Sequence, residues 1–113
     1  MVKSAFFVSV VALVAAGSPA AAQDLGAPGC PGYGFKSVAT DQQVTMTVRN
    51  QSPEPVDVYW ADFNGSLQFY QTVIPGGSYD QQTYAAHSWV FWQDNRCEFY
   101  LTMPTVSQTV DIR

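Results

Sequence analysis

Charge is scarce in this chain. Lys, Arg, Asp and Glu together make up 12% of its 113 residues, about half the share usual in soluble domains. Only five residues are basic against nine acidic, and Lys3, Lys36, Arg49, Arg96 and Arg113 are scattered. With no basic stripe to neutralise a phosphate backbone, nucleic acid is not an expected partner. Histidine occurs once, at His87, and cysteine twice, at Cys30 and Cys97. Those three side chains leave a zinc site one ligand short and include no C-x-x-C, so neither metal nor cofactor is expected. G-x-S-x-G is also missing. His87 could act as a general base with Asp80 or Asp94 orienting it, but nothing fixes a nucleophile beside it. The chain therefore reads as a non-enzyme without catalytic residues.

Long apolar runs are limited to one. After Met1-Val2-Lys3, "AFFVSVVALVAA" spans Ala5–Ala16, and "GSPAAA" ends in Ala20-Ala21-Ala22. Roughly 12 apolar residues are too few to cross a bilayer core of about 30 Å as a helix. Their proportions are those of a secretory signal, giving a signal peptide over 1–22 and a mature start at Gln23. Removal of Lys3 moves the formal charge from −4 to −5. The expected product is secreted or periplasmic, with no membrane association after cleavage, and long enough for one small domain. An oxidising compartment predicts that Cys30 and Cys97 pair, the alternative being two free thiols. In the chain-entropy picture a loop this long contributes about 4 kcal/mol.

What is abundant is β-forming sequence. Aromatics make up 14% of the chain, and a chain so poor in charge and rich in rings folds. "QDLGAPGCPGYG" (Gln23–Gly34) is Gly/Pro-rich without an apolar period, and residues 23–42 are expected to form an irregular N-terminal arm. From Val44 the pattern alternates, with Val44, Met46 and Val48 on one face and Thr45, Thr47 and Arg49 on the other. "NQSPEP" breaks it, since proline cannot donate to a sheet ladder. Val56, Val58 and Trp60 then alternate with Asp57, Tyr59 and Ala61. Asn64-Gly65 suits a tight hairpin to a returning strand at Leu67–Ile74, stopped by "PGG". Tyr79–Tyr84 reads as a short strand or extended loop, Ser88–Gln93 as a strong strand, and Asp94-Asn95 as a turn. Cys97–Thr102 pairs back and Val106–Ile112 closes the domain. No helical period follows the signal segment. The fold class is all-β: a small antiparallel β-sandwich of about seven strands over 43–113. Asn50 and Asn64 head N-x-S sequences, of which Pro53 disfavours the first as a glycan acceptor.

Trp89 and Phe91 share one face of their strand, while Val90 and Trp92 take the other. The aromatics are thus too many for one side of a thin sandwich. Val48–Asp94 ("VRNQSPEPVDVYWADFNGSLQFYQTVIPGGSYDQQTYAAHSWVFWQD") resembles the β domain of the von Hippel–Lindau tumour-suppressor family. The resemblance rests on an ordered series: N-x-S-P, V-x-W-x-x-F-x-G, Y-x-T, P-G, then Y-x-x-H-x-W-x-F-x-D. It covers about half of the mature chain, and no single motif in it is diagnostic. It implies a sandwich that recognises hydroxyproline in an extended peptide, with Trp60, Tyr70, Thr83, His87 and Trp89 as the ligand-binding residues. Thr83 stands where the family has a serine, and Gln82 where it has a histidine. Tyr79 and Asp80 stand near an edge that is basic in the family. The family's helical domain is not expected here, and an exported protein would not meet a ubiquitin ligase, so such subunits are not expected partners. The functional expectation is a secreted peptide- or protein-binding module for hydroxyproline or prolyl peptides. The alternatives are a carbohydrate-binding or a purely structural secreted sandwich.

Overall fold

Alternation becomes two layers. A computed structural model describes residues 26–113; the expected signal peptide, residues 1–22, lies outside the described residues. Among the described residues there are eight strands: β1 (Gly26–Pro28), β2 (Gln43–Asn50), β3 (Val56–Ala61), β4 (Leu67–Val73), β5 (Ser78–Tyr84), β6 (Ser88–Gln93), β7 (Arg96–Thr102) and β8 (Gln108–Ile112). One sheet has five strands in the order β1-β7-β6-β3-β4, and the other has three in the order β5-β2-β8. Val44, Met46 and Val48 of β2 meet Val56, Val58, Trp89, Phe91 and Leu101 of the larger sheet, and Val110 and Ile112 of β8 join them. Each fully buried aliphatic or aromatic side chain contributes about 1.5–3 kcal/mol, so this layer carries the fold. β6 is central in its sheet and Trp89, Val90 and Phe91 are all buried, as a strand covered on both faces requires.

Three details depart from the sequence reading. Within the arm, Gly26–Pro28 is a strand, antiparallel to β7, with Gly26 opposite Leu101 and Pro28 opposite Phe99. It has no side-chain alternation because backbone pairing makes it. A Cβ on Gly26 would lie 2.6 Å from the Tyr100 carbonyl oxygen, so only glycine fits there, and proline is tolerated on an edge strand. Second, β8 runs parallel to β2, Val48 facing Val110, although β2 and β5 are antiparallel as expected. Third, the Asn64-Gly65 connection is a five-residue loop, Asp62–Ser66, in which only Gly65 has a positive φ (90°). Asp62 organises it: Oδ1 accepts from the amides of Asn64 and Ser66, both at 2.9 Å. The Asp94-Asn95 turn does have both residues left-handed (φ 50° and 60°), as a two-residue hairpin demands.

Cys30 and Cys97 are disulfide-bonded, with Cα atoms 4.9 Å apart. The bond ties the arm to β7. Beyond it the arm turns over the larger sheet, and Phe35 packs edge-on against Tyr100 with ring centroids 5.4 Å apart. Asn50 is buried rather than available to a glycan. Its Nδ2 donates to the carbonyls of Glu54 (2.7 Å) and Val73 (2.9 Å), and its Oδ1 accepts from the amide and hydroxyl of Ser52.

Candidate functional site

Strands of both sheets end at one pole of the sandwich, and five predicted residues meet there. Trp60 is the penultimate residue of β3, Tyr70 lies on edge strand β4, Thr83 is near the end of β5, and Trp89 is second in β6. His87 sits in the short β5–β6 corner, its backbone amide bonded to Tyr84 and its carbonyl to Met103. Their contacts run in one arc. His87 stacks on Trp60 (centroids 5.5 Å, planes 29° apart). Tyr70 meets Trp60 at 6.3 Å and 70°, and Trp89 at 5.0 Å and 81°. Trp89 Nε1 closes the arc by donating to Thr83 Oγ1 at 3.1 Å.

Depth differs among the five. Tyr70 is 45% exposed and Trp60 half-buried, whereas Thr83 and Trp89 are each 2% exposed and His87 8%. Trp89 belongs to the core cluster and contributes more floor than wall. The Thr83 hydroxyl is partly committed: accepting from an indole leaves it one proton to donate and one lone pair.

The electrostatics are those of a neutral ring cluster. Burial pushes the His87 imidazole below its ordinary value, so it is uncharged at neutral pH, with one ring nitrogen a donor and the other an acceptor. Its ring neighbours are aromatic: Trp60, Phe63 at 5.5 Å and Tyr84 at 5.2 Å. Asp80 accepts from Thr47 Oγ1 at 2.7 Å, and Asp94 pairs with Arg96 at 3.2 Å; among the described residues neither bonds to His87. Trp60 Nε1 is buried without a hydrogen-bond partner. Tyr79 faces inward against the core, and its phenol is pushed up to about 12, first by burial and then by the neighbouring Tyr70. It therefore does not take the place of a basic residue on the outer edge. Gln82 and Asp80 are exposed.

Sequence reasoning gave no role to Phe63 and Tyr84. Phe63 is exposed, lies 5.3 Å from Trp60 and crosses both Trp60 and His87 edge-on. Its place three residues after Trp60, at the start of a turn, was the available signal. Tyr84 follows Thr83 and so points to the opposite face of β5, yet the corner folds His87 back onto it. A hollow of about 600 Å³ lies elsewhere, between the arm (Cys30, Tyr33, Phe35, Lys36) and Leu67. Its lining mixes Gly/Pro backbone with the disulfide, Tyr33, Phe35 and Leu67, and Lys36 and Asn64 also face it.

Two packed sheets, of five and three strands, with a ring-lined corner at one pole define a small all-β sandwich. Residues 35–103 match the family model described as VHL beta domain, and the chain belongs to that family. No curated protein matches the chain significantly.

Proposed function

We propose that this protein is an exported, non-enzymatic module that binds an extended peptide by enclosing a hydroxyproline at the His87 corner. Membership of the family makes peptide recognition the natural role, and the carrying observation is the unbroken arc from His87 through Trp60 and Tyr70 to Trp89 and Thr83. A pyrrolidine ring is rigid and has its φ already set, so aromatic walls bury it at little ordering cost. Trp60 and Tyr70 would cover the ring, and the exposed Tyr70 hydroxyl can reach the peptide backbone. The ligand's hydroxyl is both donor and acceptor, matching the neutral imidazole of His87 and the remaining proton of Thr83 Oγ1. The steep angles between the rings, 70° and 81°, form a corner rather than the flat platform a sugar chain would prefer. The disulfide between Cys30 and Cys97 is consistent with an oxidising compartment.

Plain proline would desolvate His87 and Thr83 without bonding either, at about 1–3 kcal/mol for each group left unpaired. Calorimetric titration with peptides differing only in that hydroxyl is the test. The expected result is at least about tenfold tighter binding of the hydroxylated peptide. Equal affinities, or no binding of either peptide, would overturn the ligand assignment.

A further inference from the structure

The last rung between β3 and β6 passes through a side chain from a third segment. Ala61 and Ser88 face each other in the register of these strands. Ser37, in the arm and 2% exposed, places its hydroxyl between them. Ser37 Oγ donates to the Ala61 carbonyl at 2.6 Å and accepts the Ser88 amide at 2.7 Å. The Ser37 amide also donates to Ala61 (3.1 Å) and Asp62 (3.3 Å). Trp60 precedes Ala61 on β3 and His87 immediately precedes Ser88 at the start of β6, so the stacked pair adjoins this rung.

The arm holds the rest of the corner as well. Val38 donates its amide to the Ala86 carbonyl at 3.0 Å, Thr40 Oγ1 donates to Ala85 at 2.6 Å, and Ser88 Oγ donates to Lys36 at 3.1 Å. Ala86 has φ 69°, in the left-handed region that an alanine seldom occupies unsupported. His87 is the one residue from Ala85 to Ser88 that does not bond to the arm.

We propose that Ser37 is a positioning residue: its hydroxyl sets the spacing of the β3 and β6 ends, and so the stacking of His87 on Trp60. Removing the oxygen leaves the Ser88 amide without its partner and the Ala61 carbonyl with only the longer Ser37 amide bond, or draws the two together into a direct bond. Both outcomes move Trp60 relative to His87. The ligand this geometry serves rests on the hydroxyproline reading above, but the stack exists without ligand and can be read directly.

The experiment compares Ser37→Ala with Ser52→Ala. Ser52 is a buried hydroxyl at the opposite pole, bonded to Asn50 and Gln93. His87 is the chain's one histidine, so its ring-proton NMR signals are unambiguous, and the stacked indole displaces them. Ser37→Ala should move those signals towards an unstacked imidazole and weaken hydroxyprolyl-peptide binding about tenfold. Ser52→Ala should leave both unchanged at a comparable loss of stability in denaturant. Should Ser37→Ala fail to fold, Ser37→Cys retains a weak donor and acceptor on a larger atom with longer bonds and should displace the signals in the same direction. Unmoved His87 signals in a folded Ser37 variant, or equal movement in Ser52→Ala, would overturn the proposal. Wild-type protein that binds no peptide would sink the hydroxyproline reading, while the ring signals would still decide Ser37.

Discussion

The two poles of the sandwich handle buried polarity in opposite ways. At the pole where β2 ends and β3 begins, Asn50 makes four hydrogen bonds, and Ser52 Oγ also receives Gln93 Nε2 at 2.6 Å. Those donors and acceptors are consumed within the chain. At the other pole Thr83 has one side-chain partner and the His87 ring nitrogens have none among the described residues, while a buried unpaired indole N–H occurs towards both poles, at Trp60 and at Trp92. Such capacity left open is unfavourable for folding alone. The contrast separates a polar network that fixes a loop from polar groups whose bonding capacity is left partly unused within the described residues.

The sharpest way to break this contrast is Asn50→Ala. It strips partners from the Glu54 and Val73 carbonyls and from Ser52 together, and should cost about 3–5 kcal/mol, the range of a buried network lost. Denaturant midpoints would measure it. The folded fraction should bind peptide as the wild type does, because the site lies at the far ends of β3 and β6. A stability change below about 1 kcal/mol would mean that the network is not what holds the 51–55 loop.

These poles differ also in how far they could be read from sequence. Strands β2, β3 and β6 were legible because alternating apolar residues face a core, and Asp94-Asn95 because both residues tolerate a left-handed turn. The direction of β8 was not, since alternation is the same beside a parallel or an antiparallel neighbour. β1 was hidden because "GAP" pairs through backbone and a close approach at Gly26 rather than through a pattern. The five corner residues came from the resemblance of an ordered motif series. Their depth did not: that Trp89 is mostly core and Thr83 is bonded to it depends on two sheets meeting. Asn50 looked like a turn residue or glycan acceptor, and its role as a hub needs Val73, 23 residues away. Ser37 is harder still, because its partner Ser88 is 51 residues away and nothing local marks the hydroxyl.

His87→Phe probes the open pole with a middling effect. The ring remains to stack on Trp60, but both nitrogens are gone. The preference for hydroxylated over plain prolyl peptide should fall by about tenfold or more, with affinity for the plain peptide little changed. Stability against pH gives a second readout. The imidazole's folded value lies below its unfolded value of 6.5, so its contribution is fully present above pH 6.5. As pH falls through 6.5 towards the folded value, the unfolded chain takes up the proton first and stability declines. With one histidine in the chain, that decline should be lacking in His87→Phe, as pH-dependent unfolding midpoints would show. The same slope in both proteins would place the titration elsewhere.

Thr83→Ser has the smallest expected effect and refines the comparison most. It removes one buried methyl, costing about 1 kcal/mol in transfer and cavity terms. The hydroxyl stays, so Trp89 Nε1 keeps its partner and the proton for the guest remains. If the open pole is a pocket, the space released should leave hydroxyprolyl affinity unchanged or raise it, even as the unfolding midpoint drops slightly. A loss of affinity that tracks the loss of stability would show that the methyl is part of the floor beneath Trp89. Thr83 would then belong with Asn50, among the groups whose work is done inside the fold.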